Sequence, residues 1–326
     1  MNVLGLMMMG LLTVYAFAGL QDVRADQADE AYKAGLKYYT GDGVPQDYTE
    51  AMKWYRKAAD QGNAGAQAMI GWMYHEGQDV AQDYAEAMKW FQKAAEQGFA
   101  LAQYNVGMMY DKGQGVSQDY AQAMKWHRKA ADQGLANAQY NIGVMYHVGQ
   151  GVSQNYAEAM KWFQKAADQG DAKAQYNIGL MYVDGQGVSQ NYTEAMKWFQ
   201  KAADQGLAAA QYNIGVMYVD GQGVSKDYAE AMKWSQKAAD QGDANAQYNV
   251  GVMYAEGQGV SKDYAEAMKW FQKAADQGDA GAQAMIGWMY YEGKGVSQDH
   301  AQAVKWYRKA ADQGYQKAKE QLKKLQ

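Results

Sequence analysis

The side chains in this sequence that could do chemistry are four histidines, recurring carboxylates and glycine-rich loops ending in serine. There is no cysteine, which excludes thiol catalysis, disulfides and thiolate metal sites. His75 and His147 share one position of a 36-residue period but stand two periods apart. At roughly 10 Å per packed helix layer they would lie about 20 Å from each other, too far to share a metal. His127 sits where other periods carry Phe or Tyr and reads as a packed residue, and His300 replaces a loop Tyr. Asp184 and Asp220 are a whole period apart, whereas the paired carboxyls of a glycosidase lie within about 10 Å. The Gly-Gln-Gly-Val-Ser strings are not phosphate loops, because they lack the glycine–lysine pair and follow helical segments instead of strands. No Gly-x-Ser-x-Gly, His-Glu-x-x-His or dense Asp/Asn calcium-loop spacing is present. The expectation is a protein that is not an enzyme, with no catalytic residue, cofactor or metal site.

What remains is aromatic and amide chemistry. The chain holds 27 tyrosines and ten tryptophans. Tyr104, Tyr140, Tyr176, Tyr212 and Tyr248 recur at one position, each followed at once by Asn105, Asn141, Asn177, Asn213 and Asn249. Tyrosine is favoured at binding surfaces. The same residues could instead fill space between helices, with each asparagine bonded to a neighbouring helix. Trp72 and Trp288 replace Val or Leu nearby, so these positions are where ligand preference would reside.

These residues need elements to position them, and the period supplies those elements. Trp54, Trp90, Trp126, Trp162, Trp198, Trp234, Trp270 and Trp306 are spaced by 36 residues without exception. The units run 27–62, 63–98, 99–134, 135–170, 171–206, 207–242, 243–278 and 279–314. In unit 135–170, Ala138, Ile142, Met145 and Tyr146 form the apolar stripe of a first helix, which Gly149 and Gly151 close. Asn155 then offers an N-cap oxygen, with Glu158 at capping-box spacing. Ala159, Trp162, Phe163 and Ala166 form the stripe of a second helix, and Gly170 ends it. Gly143 is expected to let the two helices approach closely. Glu158 with Lys161, and Lys165 with Asp168, read as a solvated outer face. One hairpin cannot bury both stripes, but stacked neighbours can. Lys33 and Lys37 make the first unit polar where later units have Asn105 and Met109. Residues 315–326 read as a capping helix with Ala318, Leu322 and Leu325 inward.

A formal charge of −5 argues against nucleic acid or an anionic membrane surface as partner. One proline in 326 residues suits a helical protein. Val3 to Ala18 is apolar apart from Thr13, and Ala16-Phe17-Ala18 and Val23-Arg24-Ala25 fit signal peptidase spacing. Residues 1–25 therefore read as a signal peptide cleaved near 18 or 25, giving a periplasmic or secreted protein. The other reading is an uncleaved anchor, although the run is about 16 residues and a span needs roughly 20.

Gly-Asp-Gly-Val-Pro-Gln-Asp-Tyr at 41–48, with Ala51-Met52-Lys53-Trp54-Tyr55 and Lys57-Ala58-Ala59, resembles the Sel1-like repeat family, a relative of the tetratricopeptide repeat. The resemblance covers 27–314, with Asp79, Ser235, His127 and His300 as departures. It implies an all-α, right-handed α-solenoid of eight repeats plus a C-terminal capping helix. It also implies a concave surface lined by first helices, on which the tyrosines and asparagines would contact a protein or peptide segment. An asparagine at this place in the relatives can hydrogen-bond a peptide backbone or terminal carboxylate. The leading reading is a protein-interaction scaffold. The alternatives are a cell-wall or carbohydrate binder using the Tyr and Trp platform, and a β-lactam or cell-wall hydrolase of the same family. The family's cysteine-rich members carry the link to β-lactam binding, and this chain lacks every cysteine.

Overall fold

The computed structural model describes residues 23–325. The expected leader, 1–25, falls almost wholly outside them. The described residues form seventeen helices and no strand, and none of these helices is long and apolar enough to cross a membrane. The chain divides into two compact units, 1–169 and 170–326. The first holds α1 (Val23–Thr40), α2 (Tyr48–Ala59), α3 (Ala64–Glu76), α4 (Tyr84–Glu96), α5 (Ala100–Lys112), α6 (Tyr120–Asp132), α7 (Ala136–Val148) and α8 (Tyr156–Asp168). The second holds α9 (Ala172–Asp184), α10 (Tyr192–Asp204), α11 (Ala208–Asp220), α12 (Tyr228–Asp240), α13 (Ala244–Glu256), α14 (Tyr264–Asp276), α15 (Ala280–Glu292), α16 (His300–Asp312) and α17 (Gln316–Leu325). Odd-numbered helices are the first helices of the repeats. Each packs most extensively on the even-numbered helix that follows it, and α17 packs on α16.

The local rules that make a hairpin are visible in the repeat that spans α7 and α8. Gly149 caps α7 with φ 83°, a left-handed conformation that costs glycine nothing, and its N–H donates to the Met145 carbonyl over 2.8 Å. Asn155 caps α8 by accepting from the Glu158 N–H at 3.0 Å. The reciprocal half of a capping box is not made. The Asn155 N–H already donates across the loop to the Tyr146 carbonyl at 2.8 Å, and the Glu158 carboxylate accepts from Lys161 at 2.6 Å. Asp79, the one non-glycine residue at positive φ among the described residues, takes up φ 58° in the loop after α3. Its carboxylate accepts from the Thr49 hydroxyl at 2.6 Å.

The helices meet through small residues. A Cβ on Gly143 would stand 2.6 Å from the Phe163 ring, closer than real carbon contacts, so only glycine lets α7 and α8 come this near. Ala159, Phe163 and Ala166 are buried beneath it. Trp162 departs from the sequence reading. It lies half-buried at the margin of the core, and Lys165 sits 3.9 Å from its ring centre instead of pairing with Asp168. Asp168 accepts from Gln164 at 2.6 Å. The apolar stripe is wide enough to include Phe163 fully and Trp162 only at its edge.

A buried polar relay ties the repeats together. Gln139 accepts from Gln169 at 2.7 Å and donates to the Ala131 carbonyl at 3.3 Å, so one side chain joins the ends of α6 and α8. Gln103 does the same with Gln133 and Ala95, and Gln211 with Gln241 and Ala203. Buried amides are tolerated because their hydrogen bonds are made. Both described ends are capped as the sequence predicts. Lys33 and Lys37 are exposed on α1. On α17, Ala318 is buried, Leu322 and Leu325 are partly buried, and Lys323 and Lys324 face solvent.

Candidate functional site

The recurrent tyrosines stand half-buried on the first helices, and all but Tyr212, which has Ser235 at the matching place, pack against a ring of the second helix of their own repeat. Ring centres are 5.7 Å apart for Tyr140 and Phe163, 5.6 Å for Tyr176 and Phe199, and 5.7 Å for Tyr248 and Phe271. Tyr104 stands 5.6 Å from His127 in the same way. Burial pushes the Tyr176, Tyr212 and Tyr248 hydroxyls above the usual phenol range; Asn213 and Asn249 partly offset this for the first two by hydrogen bonding.

The asparagines are less available than the sequence implied. In the second unit, Asn213 donates to the Tyr176 hydroxyl at 3.1 Å and to the Ala209 carbonyl at 3.1 Å. Asn249 hydrogen-bonds the Tyr212 hydroxyl in the same fashion. Each of these asparagines is thus engaged by the tyrosine of the preceding repeat. In the first unit, Asn141 reaches the Met108 sulfur at 3.0 Å. Asn177 is half-buried on α9.

Asn105 differs. It is 8% exposed, and its amide nitrogen has no hydrogen-bond partner. The preceding repeat explains why: Ala68 and Met69 stand where most repeats have Tyr and Asn, so no tyrosine hydroxyl reaches it. A cleft with room for about 200 Å³ opens here between α3 and α5, bringing together Trp72, Phe91, Tyr104 and Asn105 with Glu76 and Lys112 at its polar edge. His75 stacks on Trp72 at 5.8 Å with 15° between the rings, and hydrogen-bonds Glu76 at 2.7 Å. Trp288 has the same Ala-Met replacement one turn earlier, at Ala284 and Met285, and packs 6.1 Å from Tyr264. Sequence reasoning named Trp72, Tyr104 and Asn105 without joining them, and it missed Phe91. The signal that could have joined them was Ala68.

The Sel1 repeat model matches eight successive segments: 31–63, 64–99, 100–135, 136–171, 172–207, 208–243, 244–279 and 280–315. The chain belongs to the Sel1 repeat family. Its fold class is accordingly an α-solenoid of Sel1 repeats, a scaffold that generally mediates protein interaction. Among solved structures, it is 38% identical to a Sel1 repeat protein from Oxalobacter formigenes, over 93% of this chain and 89% of that one, with a TM-score of 0.73. It is also 37% identical to c5321, described as a protective antigen present in uropathogenic Escherichia coli strains with an SLR fold. That likeness covers 91% of this chain and 72% of the other, with a TM-score of 0.71. The comparison with curated proteins gives no match.

On the second helices of these Sel1 repeats, lysines cover the tryptophan rings. Lys93, Lys129, Lys201, Lys237 and Lys273 lie over Trp90, Trp126, Trp198, Trp234 and Trp270 at 4.0 Å or less from the ring centres. Lys89 and Lys197 pair with Glu86 and Glu194 one turn away. His127 is wholly buried and its Nε2 lies 2.8 Å from the Asp111 carboxylate. It fills the place of the aromatic it replaces, as its position in the repeat predicted. Among the described residues no group of His, Asp or Glu is arranged to hold a metal.

Proposed function

We propose that this Sel1 repeat protein is an exported adaptor that holds a segment of another protein along the face formed by its first helices. The observation that supports this reading is the difference in coverage between the two helix faces. The second-helix tryptophans are already roofed by lysines. The first-helix tyrosines are half-buried with their rings against the core, so they offer rigid amphipathic area at low entropic cost. An extended or helical segment laid across α9, α11 and α13 of the second unit would meet Tyr176, Tyr212 and Tyr248 in turn. Export is supported by the apolar run Val3 to Ala18 and its signal-peptidase spacing.

The test is capture from an envelope extract with the mature chain, followed by variants of the two faces. Replacing Tyr140, Tyr176 and Tyr212 with Ala should weaken capture by about 2 kcal/mol per hot-spot residue. Charge reversal at Lys161 and Lys165 should change it far less. Capture that survives the tyrosine variant and is lost on charge reversal would move the site to the second helices. N-terminal sequencing of the mature chain should begin after residue 18 or 25, and a start at Met1 would refute export.

A further inference from the structure

In the second unit the phenol hydroxyl and the amide nitrogen satisfy each other: Tyr176 lies on Phe199, and its hydroxyl accepts from Asn213 of the next repeat at 3.1 Å. Repeat 63–98 breaks this pattern with Ala68. Trp72, one turn later, replaces part of the lost aromatic bulk, because a helical side chain leans back over the turn before it. An indole cannot accept a hydrogen bond, so the bulk is compensated and the chemistry is not. The result is the cleft of about 200 Å³ above Phe91, with a nine-tenths-buried amide donor left without a partner at Asn105. A buried donor of this kind is costly to leave unpaired.

We infer that this cleft is a socket for a tyrosine side chain presented by the partner segment. Three features select that chemistry. The space is adequate, since an apolar cavity of about 150 Å³ takes up benzene. The walls are rings, Trp72 and Tyr104 over the Phe91 floor, which favour a planar guest. The polar groups ask for a neutral guest with an acceptor. Asn105 supplies a donor, while Glu76 and Lys112 at the rim carry opposite charges and cancel any preference for an anion or a cation. A phenol satisfies all three conditions, and the chain already uses that pairing internally at Tyr176 and Asn213. The assignment rests on the first-helix reading above and makes it specific.

The experiment titrates the full chain with N-acetyl-Gly-Tyr-Gly-amide and with its Phe counterpart, following the ligand ring protons by NMR. The Tyr peptide should bind more tightly by about five- to tenfold, the equivalent of one buried hydrogen bond. Asn105→Leu should equalise the two peptides. Ala68→Tyr, which places a phenol in the cleft from within, should abolish binding of both. Asn105→Leu keeps the side chain's size and breaks no hydrogen bond of the amide nitrogen, so the test stands even if Ala68→Tyr does not fold. Equal binding of the two peptides by the unaltered chain, or discrimination that persists in Asn105→Leu, would overturn the assignment. Capture of an envelope partner that is indifferent to both variants but lost when Tyr176 and Tyr212 are replaced would leave the first-helix reading standing and remove the socket.

Discussion

The repeats around α3 and α5 and those around α9 and α11 have the same helices, the same loops and nearly the same sequence, yet their first-helix faces are in different chemical states. At α9 and α11, Tyr176 and Asn213 are hydrogen-bonded to each other and the face is knitted together by its own side chains. At α3 and α5, Ala68 leaves Asn105 unpartnered beside a cleft. A local exchange in one repeat leaves a buried donor without the hydroxyl that pairs it elsewhere. In an array where each repeat touches only its neighbours, such a change stays local, and the array can carry a distinct site without altering its fold.

The largest test of this contrast concerns packing beneath the face. Trp234 is 8% exposed and belongs to the buried core of its repeat. Trp234→Ala should cost about 3–5 kcal/mol, the range for a buried tryptophan. Trp162, half-buried under Lys165, should cost clearly less in the same unfolding assay. Equal losses would show that both indoles are core residues.

Glycine variants sharpen the comparison next. A Cβ on Gly179 would lie 2.5 Å from the Phe199 ring, and one on Gly71 would lie 2.8 Å from Phe91. Gly179→Leu should cost about 3 kcal/mol by overpacking. Gly71→Leu should cost less, because Phe91 borders the cleft and has space to move. Thermal unfolding of the pair checks the order, and a larger loss for Gly71→Leu would argue that the cleft does not relieve strain.

A smaller effect should appear at high pH. Burial raises the folded-state ionisation of Tyr176, Tyr212 and Tyr248, and raises Tyr307 to about 12. A phenol whose folded pKa is raised contributes stability that is fully present below the unfolded value, about 10. That stability is lost as pH climbs through the folded values. The second unit should therefore loosen above about pH 10, with these phenols ionising late in an absorbance titration. Ionisation of all tyrosines at the free-phenol value with no loss of helix would contradict the burial.

Much of this was legible in the sequence. The period, the helix stop at Gly149, the cap at Asn155 and the close approach at Gly143 all follow from residue type and spacing. What was not legible depends on geometry across repeats. Gln139 is polar, so no hydropathy pattern marks it as buried; it is inside because Gln169 and the Ala131 carbonyl complete its hydrogen bonds. Trp162 and Phe163 share one stripe on a helical wheel, and only the neighbouring helices decide which goes deeper. The asparagine at each repeat looks the same until the residue 37 positions before it is read, since that residue is Tyr176 for Asn213 and Ala68 for Asn105.

That last pair gives the most direct test of the claim that the face is closed by its own hydrogen bonds at α11 and open at α5. Native-state hydrogen exchange would be measured on the full chain carrying either Asn213→Leu or Asn105→Leu, reading the amides of α11 and α5. Asn213→Leu should lower local protection by about 1 kcal/mol, because it breaks the bond to Tyr176. Asn105→Leu should leave protection unchanged or raise it, because it removes a buried donor that has no partner. Equal losses at both positions would contradict the account.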